Sequence, residues 1–572
     1  MDYVMKRRIR MSRFNLLKEN WITVMTDCKG TVREVSMIDL FNNAHKYVGL
    51  AGEMPTQNFA ILRVLLAVLH TVFSRFDAEG NPYPYINLNE KYRQLEEIDE
   101  DDEDEYEADL MSTWKTLWKR GQFPSIVEEY LLKWEERFYL FDDEYPFYQI
   151  SKKDLKERKI NKANPSPVNP KNINRTISES RNKIALFSPK YANNNNKEKM
   201  TEAELARWLI LFQGYIGLSD KVIFGSEKYE VPNSKGWLFD IGGTTLKGNS
   251  LYETLLLNLA MLHPEERYIF YQQKPAWEFT GGELVDRLMK LQPIENLAEL
   301  YTNWSRALYI DPETNTEKEF TIDIVKLPEI EHQNQFLELM TLWRFNEFGD
   351  NKDSYTPRRH LISESFWRSF GATFMPSKNE ELKRPGIIDW FHRIQGILDN
   401  HKIVVQTFGM EPDGNATSWV PIDEYYDSLK ISDYILIDVQ EAGWVPRITD
   451  EVEKTKEIID RTLRSFIQDV KTIRNIDKND FTNKILQEAY YAVDPPFREW
   501  LESLEVRDDK EEKVGLWRKE LQILMIEQAD KLVETSGPRD YRGIFDKDGK
   551  NKNIATAYNS FIYWLNHGLK IK

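Results

Sequence analysis

The chain has 572 residues, a net charge of −16, 41% apolar residues and 13% aromatics. That length rules out a lone small module, and that apolar content rules out a chain disordered throughout. The single cysteine, Cys28, excludes an intramolecular disulfide, a cysteine-based zinc ribbon and an iron–sulfur cluster held by this chain alone, and it fits a reducing compartment.

The charge is uneven. Residues 96–109 hold 11 acids and no base; without them 77 Lys and Arg face 82 acids. Residues 152–199 hold 13 Lys and Arg against 4 acids, a local excess of +9. The global sign therefore does not decide whether the chain repels nucleic acid. No stretch of 18 apolar residues occurs, so no membrane span is expected. The basic N-terminus (Lys6, Arg7, Arg8, Arg10) leads into no apolar segment, so a cytoplasmic protein without a signal peptide is expected, with Met11 a candidate start.

In chain order, residues 14–35 alternate around Lys29-Gly30 and predict a short hairpin. Residues 55–76 predict a buried helix with Leu62, Leu65, Leu66, Leu69 and Phe73 on one broad face. The acidic run 96–109 reads as a solvated loop, or alternatively as a docking surface or nucleic-acid mimic. Residues 114–141 are aromatic-rich and helical in pattern. Residues 151–200, with ten Asn and three Pro within 165–170, predict a long exposed loop. Thr201 and Glu204 then form a capping box, with Met200 and Leu205 placed as a hydrophobic staple. Residues 221–246 are strand-like and 251–262 read as a buried helix. The middle, to about residue 430, mixes short strands with turns. Beyond about 435 lie long amphipathic helices: one capped by Thr449, with Ile459, Leu463, Phe466, Val470 and Ile473 at 4-3-4-3 spacing, and three more around Phe481–Ala489, Trp517–Leu532 and residues 554–565.

Catalytic signatures are missing from this pattern. Gly243 to Ser250 comes nearest to a phosphate loop, but Asn249 stands where the phosphate-binding Lys belongs. The eight histidines show no metal-ligand spacing, and His70 on its apolar helix reads as a core residue. Cys28 is a poor nucleophile candidate, and no nucleophile elbow occurs. A non-enzyme without cofactor, metal or small-molecule substrate is expected. The basic loop offers phosphate contacts from Lys and Arg, donors and acceptors from Asn, and an aromatic tip, Phe187, able to stack on or wedge between bases. It reads equally as a solvated insertion with Phe187 tucked into the core.

Ordered segments carry a family resemblance. They are Phe14-Asn15-Leu16-Leu17 with Trp21-Ile22, Gly30-Thr31-Val32-Arg33-Glu34-Val35-Ser36, and Leu50-Ala51-Gly52-Glu53-Met54-Pro55-Thr56-Gln57. The helix around Leu62-Arg63-Val64, Arg137-Phe138-Tyr139-Leu140-Phe141 and Tyr145-Pro146-Phe147-Tyr148-Gln149 follow. The capping-box helix with Trp208-Leu209 and Gln213, and Leu255-Leu256-Leu257-Asn258-Leu259, complete the set. The set resembles the large subunit of the type I-E CRISPR surveillance complex Cascade, the CasA family.

The resemblance implies an α+β protein. A large mixed α/β N-terminal domain with long loops (11–432) would be followed by a C-terminal four-helix bundle (433–572). It implies a non-catalytic subunit that recognises the protospacer-adjacent motif (PAM) in double-stranded DNA. That subunit helps open the duplex for crRNA pairing and supports recruitment of a helicase-nuclease in antiviral defence. Its partners would be the crRNA-containing backbone, small and 5′-handle-binding subunits. The family's Asn-and-aromatic loop matches Asn182, Lys183 and Phe187. Its glycine loop gives Gly217, Gly225 and Gly236 as candidates, and Arg344 is the nearest basic residue to its basic finger. Its duplex wedge matches Gly414, Asn415 and Ala416, which by themselves read as a surface turn. The cysteine-rich metal site of some members is excluded here, and the acidic run has no family counterpart. The alternative to this reading is a protein-binding scaffold with no direct DNA role.

Overall fold

The computed structural model describes residues 12–173, 199–217, 220–225, 235–376, 381–398, 402–414, 421–477, 479–545 and 549–571. Helices and short strands interleave along the chain, which makes it an α+β protein with a C-terminal helical region. It divides into two compact units that are discontinuous in sequence. The first comprises residues 1–362, 380–397 and 406–427; the second comprises 363–379, 398–405 and 428–572.

The first unit is built around the helix Pro55–Phe73. Pro55 fixes the first helical φ, and nearly every following side chain is buried. This helix is long and apolar enough to cross a bilayer, yet 94% of that apolar window is buried inside the protein, as befits a core helix. Its one cation, Arg63, is 1% exposed and grips Glu338 through two hydrogen bonds of 2.9 and 2.7 Å. Trp237 Nε1 donates to the same carboxylate at 2.7 Å, and the guanidinium lies 4.1 Å above the Tyr301 ring. Just past the helix, Arg75 pairs with Glu278 at 2.8 Å, and Tyr130 donates its hydroxyl to that carboxylate. Such pairs offset their desolvation only because every charged oxygen is hydrogen-bonded. His70 is a core residue whose pKa burial pushes down to about 3; its Nε2 makes no hydrogen bond.

The segments quoted for the resemblance converge on buried polar tethers. Arg207, on the helix Glu202–Tyr215, donates to Trp21 O (2.6 Å), Glu34 (2.7 Å) and Glu53 (2.6 Å). Gln213 accepts from the N–H groups of Ser305 and Arg306 and donates to Arg306 O. Gln149 donates to Leu140 O and accepts from Ile310 N. These side chains tie strands to helices, so the motifs record the fold. The capping box Thr201–Glu204 is present, and Met200 and Leu205 are both buried. The hairpin Ile22–Met25/Val32–Val35 is also present, whereas Ser12–Asn15 pairs instead with Tyr139–Asp142.

Two expectations are corrected, and a third segment is clarified. The acidic run is no loop throughout: Asp99 caps a single turn, and Glu103 opens the helix Glu103–Arg120. Its acids lie at the N-terminal end, where they complement the helix dipole, while Tyr106, Leu110, Thr113, Trp114 and Leu117 supply the buried stripe. The described part of residues 151–200 holds regular elements: the helix Lys152–Glu157, the strand Ser166–Val168 paired with Ile322–Lys326, and the turn Pro170–Ile173. The near phosphate loop is the strand Gly243–Lys247 followed by the helix Leu251–Asn258. The Glu253 carboxylate accepts from Asn249 N at 2.7 Å, putting a fixed negative charge where a phosphate would dock.

In the second unit, Trp444–Glu457 continues through a π-turn, Ile458–Leu463, into Arg464–Arg474. It starts at Gly443, where Asp438 accepts the Trp444 N–H at 2.8 Å, and not at Thr449. Thr449 lies inside the helix because its hydroxyl bonds back to Val445 O. Helices Asn479–Glu502, Lys510–Glu534 and Ile554–Leu569 follow. Trp517 joins three of them: its Nε1 donates to Thr455 Oγ1 at 3.1 Å, and its ring meets those of Phe497 and Trp500. Phe466 and Phe561, 5.2 Å apart, bring in the last helix.

Candidate nucleic-acid interface

The glycine candidates separate by what surrounds them. Gly236 is buried and caps the helix Trp237–Asp240. A Cβ there would lie 2.3 Å from Gly214 O and 2.8 Å from Tyr215 N, so only glycine allows this backbone approach. Gly217 is also buried, its carbonyl accepting from Arg306 at 2.8 Å. Arg306 continues to Asp220 Oδ1 at 2.7 Å, a buried pair that fastens the segment after the helix. Both glycines therefore border the C-terminal end of Glu202–Tyr215 and serve packing.

Gly225 differs. It is exposed, its φ is +75°, and among the described residues a Cβ would meet nothing within 4 Å. Its N–H donates to Lys159 O at 2.8 Å; Asn161 N donates to Ile223 O at 3.0 Å, and Asn161 Oδ1 accepts from Ile223 N at 3.1 Å. These bonds align residues 159–161 beside 221–225, and Lys159, Lys162 and Lys221 are all exposed there. Among the described residues none of the three is ion-paired. Behind them Lys326 N donates to Val222 O, and burial lowers the pKa of the Lys326 ammonium. The result is a cationic ledge beside an open left-handed glycine.

Arg344 lies on the strand Leu342–Asn346, the middle of a three-stranded sheet, opposite Thr356 and Leu382. It is exposed, donates to Asn346 Oδ1 at 3.3 Å, and among the described residues forms no salt bridge. Gly414 is exposed with φ +71° and lies just past the strand Lys402–Pro412, after Asp413. The sheet containing that strand also contains Gly243–Lys247, which bridges to Thr341, next to the Arg344 strand. No described contact joins Arg344 or Gly414 to the ledge at Gly225. Asn182, Lys183, Phe187, Asn415 and Ala416 lie outside the described residues.

The fold also assembles a cluster that spacing along the chain hides. His332 Nε2 lies 3.3 Å from Asp240 Oδ2 and 3.3 Å from Glu329 Oε1. Lys235 is hydrogen-bonded to Asp240 as well. Burial pushes the Glu329 carboxyl up to about 7. Burial would also raise Asp240, but His332 and Lys235 hold it well below the usual carboxylate range. Burial would lower His332, and the two carboxylates more than offset that. The one local signal was Glu329 and His332 at i, i+3.

The class so defined is a large α+β protein that ends in a helical bundle and carries an exposed cationic ledge beside an open glycine turn. The family model for CRISPR-associated protein Cse1 matches residues 15–528. CasA/Cse1 of Thermus thermophilus is 30% identical over 281 residues, a stretch spanning 48% of this chain and 44% of that protein. The solved structure of Thermobifida fusca Cse1 aligns with a TM-score of 0.75 at 22% identity, covering 98% of this chain and 99% of that one. A chain of a CRISPR RNA-guided surveillance complex aligns with a TM-score of 0.65 at 14% identity, covering 96% and 99%. The chain belongs to the Cse1/CasA family, the large subunit of type I-E Cascade.

Proposed function

We propose that this chain is the non-catalytic subunit through which a type I-E Cascade complex reads the PAM in double-stranded DNA. The ledge at Gly225 carries the reading. An unhindered glycine between unpaired lysines lets backbone approach a groove while the ammonium groups neutralise flanking phosphates. Arg344 adds an exposed guanidinium, without a salt bridge among the described residues, suited to a base edge or phosphate. Gly414, Asn415 and Ala416 act as the wedge, which offsets part of an unstacking cost of a few kcal/mol at the first base step. Opening the duplex then admits the crRNA, and the assembled complex recruits the helicase-nuclease. The partners are target DNA and the crRNA-bearing Cascade subunits, and the setting is the cytoplasm.

Salt dependence tests this reading. Replacing Lys159 and Lys221 together by Ala lowers the log–log salt slope of DNA binding by about 2, since each lost phosphate contact removes about 0.9. An unchanged slope overturns the ledge as a DNA surface. A protein-binding scaffold is the second reading, favoured by Tyr563 and Trp564, which are 62% and 55% exposed on the last helix. It predicts no DNA binding by the chain at any salt.

A further inference from the structure

We propose that Asp240, Glu329 and His332 form a binding site for one divalent transition cation of the zinc class. The three ligand atoms, one imidazole nitrogen and two carboxylate oxygens, lie within 4.8 Å of one another. The nitrogen sits 3.3 Å from each oxygen. A tetrahedral zinc site with bonds of about 2.0–2.2 Å has ligand–ligand edges of about 3.3–3.6 Å, so two edges are already in place. The mixed nitrogen and oxygen donor set suits zinc or cobalt better than magnesium or calcium, which take oxygen alone.

The second observation is at His332. Its Nε2 is shielded from solvent and lies equidistant from one oxygen of each carboxylate, so the imidazole points between the two. The side chains are 15%, 6% and 18% exposed for Asp240, Glu329 and His332, so the three ligand groups sit in a largely water-excluded place. The Trp237 ring lies 5.0 Å from the imidazole, and its Nε1 is anchored on Glu338, so the ring face is held. Lys235 is the competitor. Its ammonium bonds Asp240, and the metal takes that place when Lys235 swings out. The cation thereby joins the helix Trp237–Asp240, which Gly236 begins, to the segment carrying Glu329 and His332.

The test is equilibrium dialysis of the full chain against Zn²⁺, with bound metal counted by mass spectrometry. Co²⁺ provides the optical probe, through the intense ligand-field bands of a four-coordinate site. Wild type retains one equivalent and shows those bands. His332→Gln weakens Zn²⁺ binding at least tenfold and abolishes the bands, while Lys235→Met strengthens binding at least tenfold. Thermal melts without metal confirm that the variants are folded. Added Zn²⁺ raises the wild-type midpoint, and His332→Gln loses that rise. No retained Zn²⁺ in wild type, or equal retention by wild type and His332→Gln, overturns the site.

Discussion

Replacing Arg63 by Met removes the cation from a pair in which both side chains are essentially unexposed, at 1% and 0%. Breaking a buried pair costs about 3–5 kcal/mol, because the orphaned charge keeps its desolvation penalty. Two donors remain to Glu338: Trp237 Nε1 on Oε2 and Met340 N on Oε1. With one neutral donor left on each oxygen, the expected loss lies at the lower end, about 3 kcal/mol. The loss also depends on pH. In the wild type, burial alone would raise the Glu338 pKa, but Arg63 holds it below the usual value. That contribution to stability is present above the unfolded carboxylate pKa and fades as pH falls through the folded one. In Arg63→Met, burial acts largely unopposed, the folded pKa rises above the unfolded one, and stability is lost as pH rises. The gap between wild type and variant therefore widens between about pH 5 and pH 8, where an ordinary carboxylate near 4.3 no longer titrates. Urea unfolding followed by tryptophan fluorescence measures the gap at each pH. Arg63→Met/Glu338→Leu regains most of the loss, since a well-packed apolar pair replaces the charges. A gap below about 1 kcal/mol, or one that does not change with pH, refutes the reasoning.

Gly236→Ala forces a methyl group onto the backbone of Gly214 and Tyr215 and destabilises by about 1–3 kcal/mol or more. Gly225→Ala meets no atom of the described residues and costs only the left-handed strain of about 1–2 kcal/mol, yet it is the one expected to weaken DNA binding. Melts and binding isotherms on both variants separate the packing glycine from the surface one. Thr201→Ala removes the cap hydroxyl that accepts Glu204 N and lowers stability by about 1 kcal/mol, read as a shift in the urea midpoint.

Sequence made legible what local chemistry decides. Thr201 and Glu204 announced a helix start because a capping box needs only its own four residues. The alternation around Lys29-Gly30 announced a hairpin because strand pairing there is closed by one turn. Pairings across distance were hidden. Arg63 and Glu338 are 275 positions apart, so nothing local to the apolar helix names the partner of Arg63. Asp240 lies far from Glu329 and His332 in the chain, and a scan for metal-ligand spacing passes over such a set. The acidic run concealed a helix because its buried stripe begins only at Tyr106, after most of the charges. The sites show the same division. Composition pointed to basic residues between 152 and 199, but only the fold aligns Lys159 and Lys162 with Lys221 and exposes Gly225 while burying Gly217 and Gly236.

The most direct test of the account is electrophoretic binding of the reconstituted guide complex, with and without this chain, to matched targets that differ only in the base pairs flanking the protospacer. The account predicts that flank-dependent binding appears only when the chain is present, and that Lys159→Ala/Lys221→Ala weakens it. Equal binding to all flanks with and without the chain contradicts it.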